Sequence, residues 1–121
     1  MSDHDYTDEM VQLAQRLVAR TREGRIAWDS TEDSSRYSYS GQSSSVWIEG
    51  GYDTDNDFNG ALTLLNTGGE IVEVLRTDYT QVGNKYESGP HNAVLEELHR
   101  AARRKALDID RILSETLLEL E

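Results

Sequence analysis

Cysteine is absent from the 121 residues, which removes disulfide staples, thiolate zinc sites and thiol nucleophiles from consideration. Proline occurs once, at Pro90, and phenylalanine once, at Phe58, among only nine aromatic residues. The core is therefore expected to be mostly aliphatic. Basic charge is scarce: 12 Lys and Arg against 23 Asp and Glu leave a formal net charge of −11. Such a chain lacks the basic face that nucleic acids and anionic membranes attract, which argues against direct binding to either. No apolar run approaches the ~20 residues of a membrane span, and the acidic start Met1–Glu9 is unlike a signal peptide. The expectation is a cytoplasmic protein of a bacterium or its phage. It should form a single domain over residues 1–121, with 1–4 a disordered end.

What is present is organised around Gly60–Asp78. Two apolar runs, Ala61–Leu65 and Ile71–Arg76, flank Asn66-Thr67-Gly68-Gly69. Glycine and asparagine tolerate the positive φ that a tight reversal needs, so this stretch reads as a β-hairpin. In its second strand Ile71 and Leu75 should face one way and Val72 and Val74 the other, which implies cover on both faces of the sheet.

Ahead of the hairpin, Tyr6, Met10, Leu13, Ala14, Leu17 and Val18 recur at helical spacing and predict a helix over Asp5–Thr21, stopped by Gly24. Arg25–Asp29, Arg36–Ser40 and Ser45–Glu49 read as short strands, and Gly50–Asn59 as an acidic loop. After the hairpin, Thr77–Gly89 reads as a polar stretch. Pro90 is placed to be the first residue of a helix with the stripe Val94, Leu95, Leu98, Ala101 and Ala102. Asp108 can cap a last helix with the stripe Ile109, Ile112, Leu113, Thr116, Leu117 and Leu120, widened by Leu118. The predicted fold is α+β: an N-terminal helix, an antiparallel meander of four or five strands, and two C-terminal helices.

Three segments carry a resemblance: Thr21-Arg22-Glu23-Gly24-Arg25-Ile26-Ala27-Trp28 after Leu17; Leu62-Thr63-Leu64-Leu65 with Gly69, Ile71 and Leu75; and Ala102-Arg103-Arg104-Lys105-Ala106-Leu107 after Leu95 and Leu98, with Ile109-Asp110. In these the chain resembles a loose group of small uncharacterised bacterial proteins, frequent in actinobacteria and their phages. The resemblance implies a helix–sheet–helix fold. The group has no agreed activity, so it supplies no functional residues. The acidic insertion Tyr52–Asn59 departs from its pattern.

Candidate chemistry is sparse. Read from Asp55, the run Asp53-Thr54-Asp55-Asn56-Asp57-Phe58-Asn59-Gly60 places oxygen donors at positions one, three and five of a calcium loop and glycine at six. Asp53, Asp55, Asp57 and Asn59 are thus calcium candidates, although position twelve is Asn66 rather than glutamate. The alternative is a solvated acidic turn. His4, His91 and His99 share no ligand spacing and are expected on the surface. Arg100, Arg103 and Arg104, with Lys105, form a basic cluster that could hold an anion or partner, or pair internally with Glu96 and Glu97. No nucleophile elbow, phosphate loop or zinc helix appears, so neither enzymatic activity nor a resident cofactor is expected.

Three roles remain. The first is a protein-interaction or regulatory module, expected to form a homodimer because its apolar surface exceeds what three helices can hide. The others are an acidic decoy mimicking nucleic acid and a binder of a small anionic ligand.

Overall fold

Helix α1 (Thr7–Arg22) begins where Asp5 accepts the Thr7 backbone N–H at 2.9 Å and its hydroxyl at 2.6 Å. The computed structural model describes residues 5–121; residues 1–4, with the expected disordered end and His4, lie outside the described residues. Met10, Ala14, Leu17, Val18 and Thr21 form the buried stripe of α1. Gly24, at φ +73°, ends the helix: its N–H bonds Thr21 O and the Arg25 N–H bonds Arg20 O. These two bonds occupy carbonyls that the last turn would otherwise leave open.

The strand expected over Arg25–Asp29 is reduced to β1 (Asp29–Ser30). The reason is Trp28, which turns into the core and donates its indole N–H to the Thr21 hydroxyl at 2.9 Å, while that hydroxyl donates to Leu17 O at 2.6 Å. This buried relay ties the segment to α1 instead of to a neighbouring strand. Thr21→Val keeps the shape but orphans the indole N–H, and should lower the unfolding free energy by about 1–3 kcal/mol. Thr21→Ser should lose less; denaturant titration of the two variants gives the comparison.

Strands β2 (Arg36–Ser40), β3 (Ser44–Tyr52), β4 (Phe58–Asn66) and β5 (Ile71–Arg76) follow β1 in an antiparallel five-stranded meander. The β3–β4 ladder runs from Ser44↔Asn66 to Tyr52↔Phe58, so the expected loop Gly50–Asn59 shrinks to 53–57. It extends because Gly50 faces Gly60 and the Phe58 ring lies over both glycines. Between β4 and β5, Asn66 Oδ1 accepts the N–H groups of Gly68 and Glu70 at 3.0 Å each, and Gly69 takes φ +81°. The central hairpin is as the sequence predicts.

A bulge alters the facing of β5. Leu64 pairs with Glu73 but Leu65 pairs with Ile71, leaving Val72 as the extra residue. The extra residue reverses side-chain parity across it. Leu75 joins Leu62 in the core, whereas Ile71 shares a face with Leu65, and Val74 with Thr63. Ile71 and Leu75 therefore lie on opposite faces, contrary to strict alternation.

Beyond β5, the expected polar stretch forms a second hairpin, β6 (Tyr79–Val82) and β7 (Lys85–Ser88), turning at Gly83 with φ +63°. Helix α2 (Asn92–Ala106) starts two residues after Pro90 rather than at it. Its first residue is held by a paired contact: Asn92 Oδ1 accepts the Asp78 N–H at 2.9 Å and Nδ2 donates to Asp78 O at 2.8 Å. Helix α3 (Ile109–Glu119) completes the order, and the described residues thus form an α+β fold.

Helices α1 and α2 pack on each other and on the same sheet face. Met10, Leu17, Val18, Leu95, Leu98 and Ala102 meet Val46, Ile48, Leu62 and Leu75 in one cluster. On the opposite face, Thr63 and Leu65 are buried, Trp47 and Val74 half-buried, and Ile71 exposed. The two helices cover one face; on the other, burial reaches Thr63 and Leu65 but not Ile71.

His99 joins α2 to the sheet. Its Nε2–H donates to Ser35 O at 2.9 Å, and its ring lies 5.5 Å from those of Tyr37 and Phe58. Burial holds its pKa below the ordinary histidine value; the Ser35 bond opposes this and the Arg103 cation adds to it. The fold thus prefers neutral His99, while the unfolded chain takes the proton near pH 6.5. Stability should be full above that value and fall as the pH drops from it toward the lowered native pKa. His99→Gln, which retains a donor for Ser35 O, should flatten the fall between pH 7.5 and 5.5 in denaturant titrations.

Candidate functional site

Helix α3 is amphipathic, yet none of its residues is buried. Ile112 is 49% exposed, Leu113 56%, Leu117 60% and Leu120, just past the helix end, 79%. The stripe of α2, by contrast, holds Leu95, Leu98 and Ala102 at 0%. At about 100° per residue, Ile109, Ile112, Leu113, Thr116, Leu117 and Leu120 fall within one arc of roughly 140°. Leu118 falls on the opposite side, so it does not widen the stripe as expected.

An isolated helix of this length is marginal in water. Side-chain bonds, rather than packing, hold this one. Arg111 donates to Asp108 and to Glu115, Arg104 reaches back to Asp110 at 2.6 Å, and the Thr116 hydroxyl donates to Ile112 O at 2.8 Å. Asp108 does not cap α3 through its side chain as the sequence suggests. It sits in the left-handed region at φ +53°, turns the chain out of α2, and spends its carboxylate on Arg111.

The basic cluster is largely committed within the chain. Arg22 pairs with Glu97, Arg100 with Glu96 at 3.3 Å, and Arg104 with Asp110. Tyr52 donates its hydroxyl to the same Glu96 at 2.6 Å. Arg104 holds the Asp110 carboxyl below its usual range, by hydrogen bond and then by charge. Arg22, Arg100, Arg104 and Lys105 line a groove of about 260 Å³ with Glu97 and Asp110. Arg103 lies apart from that groove and acts on His99. Arg22 lies in the last turn of α1 and Arg103, Arg104 and Lys105 in that of α2, where exposed carbonyls favour positive charge without any ligand. The grouping of Arg100, Arg103 and Arg104 as one anion site is therefore not reproduced.

In the acidic loop, carboxylate oxygens of Asp53, Asp55 and Asp57 can lie within 4.8 Å of one another, a hard donor set suited to a divalent cation. Asp53 is nevertheless engaged in the turn itself. It accepts the Asp57 and Asp55 N–H groups at 3.0 and 2.9 Å and the Asn59 amide at 2.9 Å. Those bonds, the one from Asp57 first, hold its pKa below the usual carboxylate range. Asn59 donates Nδ2 to Asp53 and to Asp57 O, which ties it to the cluster through its nitrogen and leaves its Oδ1 outside these bonds.

His91 and His99, expected as free surface residues, are both half-buried and both bonded to carbonyls, His91 to Arg76 O at 2.7 Å. The stripe of α3 and a surplus of apolar surface were legible in the sequence; that the whole stripe stands open to solvent was not. A signal was present in the five carboxylates between 108 and 121, which crowd both edges of the stripe against a single arginine. Comparison with protein-family models, with curated proteins and with solved structures finds no match.

Proposed function

We propose that the chain is a non-enzymatic protein-interaction module whose contact element is α3. The observation that carries this reading is the apolar stripe on α3 left open to solvent while those of α1 and α2 are buried. Contiguous exposed apolar surface on a folded protein usually marks an interface. Affinity capture from the native host, read by mass spectrometry, tests it. A partner recovered with the wild type should be lost with Leu113→Ser/Leu117→Ser and kept with Leu118→Ser, which changes the far side of the same helix. A partner recovered equally with all three would reject α3 as the contact element.

A second reading, self-association as a homodimer, is favoured by Ile71, 58% exposed on the sheet face that also carries the half-buried Trp47 and Val74. Light scattering should then give twice the chain mass at micromolar concentration, reduced by Val74→Lys. A monomer at high concentration would reject it.

A further inference from the structure

We infer that α3 docks into an apolar groove rimmed by lysine or arginine on a partner protein, an inference that rests on the α3 reading above. The chemistry follows from where the charges of α3 stand. Projected at about 100° per residue, Glu115 and Glu119 run along one edge of the stripe and Asp110 along the other, with Glu121 following the last turn. The one base of the segment, Arg111, projects from the opposite side and is already engaged by Asp108 and Glu115. Asp110 and Glu115 already share their charge with Arg104 and Arg111, so a surface that covers Ile112, Leu113 and Leu117 meets an edge that is net acidic chiefly through Glu119 and Glu121, which form no ion pair among the described residues. Positive charge at its rims meets them; negative charge is repelled. Anionic membranes and nucleic acids are disfavoured for the same reason. So is a second α3, because stripe-to-stripe contact of two copies sets acidic edges beside acidic edges across helices only 8–10 Å apart.

The remaining surfaces commit to an occupant less well. The groove lined by Arg22, Arg100 and Arg104 has its arginines paired. The outer edge of β5 is kinked by the bulge at Val72, a device that discourages strand addition.

The test uses the full chain and two synthetic amphipathic helices with the same leucine stripe, one flanked by lysines and one by glutamates, followed by fluorescence anisotropy. The lysine-flanked peptide should bind at least tenfold more tightly. Leu113→Ser/Leu117→Ser should weaken it tenfold or more, and Leu118→Ser should not. Glu115→Gln/Glu119→Gln should weaken it severalfold and reduce its salt dependence, since screening acts on the rim charges. Circular dichroism checks that each variant keeps its helix content. Equal binding of both peptides, or no effect of the two glutamine substitutions, overturns the basic-rim inference while leaving α3 as the contact element. Lysine-peptide binding that ignores Leu113 and Leu117 reports general attraction to an acidic protein and overturns the α3 reading itself. A dimer in light scattering that Leu113→Ser/Leu117→Ser dissolves makes a second copy the occupant and overturns the inference.

Discussion

Gly60→Ala should lower the unfolding free energy by about 3 kcal/mol, the upper part of the overpacking range. A Cβ at this position would stand 2.4 Å from the backbone oxygen of Glu49 and 2.6 Å from Cζ of Phe58. The oxygen belongs to the adjacent strand of a nine-residue ladder and cannot retreat without shifting β3. The Phe58 ring is also confined, with Tyr52 at 5.7 Å and His99 at 5.5 Å. Gly50, opposite, is blocked mainly by the ring, at 2.4 Å from Cζ, and then by Asn59 O at 2.9 Å. A double-mutant cycle separates these contacts. Phe58→Leu should relieve much of the penalty of Gly50→Ala but only part of that of Gly60→Ala, because the Glu49 oxygen remains. Chemical denaturation gives all four stabilities. A loss below about 1 kcal/mol for Gly60→Ala, no more than an average substitution, would show that β3 yields more readily than the ladder implies.

Leu98→Ala should cost about 2–5 kcal/mol, whereas Leu117→Ala should stay within about 0.5 kcal/mol of wild type. Both remove the same atoms from a helix, so the difference isolates burial. Leu98 is 0% exposed and lies in the cluster that joins α1, α2 and the sheet; Leu117 is 60% exposed on a helix with no buried residue. Alanine is also the better helix former, which offsets part of what little Leu117 contributes. Paired denaturant titrations provide the measurement. A loss at Leu117 comparable to that at Leu98, in dilute monomeric protein, would mean that α3 packs on the body of the chain in solution.

Elements whose signal is local were readable in advance. The stripe of α1, the Asn66–Gly69 reversal and the strand Arg36–Ser40 depend on neighbouring residues and appear nearly as expected. Elements decided by distant partners were not. Arg25–Trp28 alternates like a strand, but the indole of Trp28 is claimed by Thr21. The length of β3 and β4 depends on two glycines meeting under one phenylalanine ring, a pairing invisible until the register is known. Parity in β5 was lost to a single bulge at Val72, which no composition rule announces. The β6–β7 hairpin was missed although Gly83-Asn84 is a two-residue turn between short alternating runs. At the candidate site, periodicity revealed the α3 stripe but could not say whether it faces the sheet or solvent.

The joint at Asp108 separates two inventories of residues. Every fully enclosed side chain lies at or before Ala102, and the turn through Asp108 releases α3 from the body. Substitutions along α3 can therefore accumulate with little effect on whether the rest of the chain folds. On the proposed reading of α3 as the contact element, such a helix can change its preferred partner across generations while the sheet and its two covering helices stay constant. The same separation lets α3 be exchanged for another amphipathic segment at the Asp108 joint, retargeting the scaffold without redesigning its core.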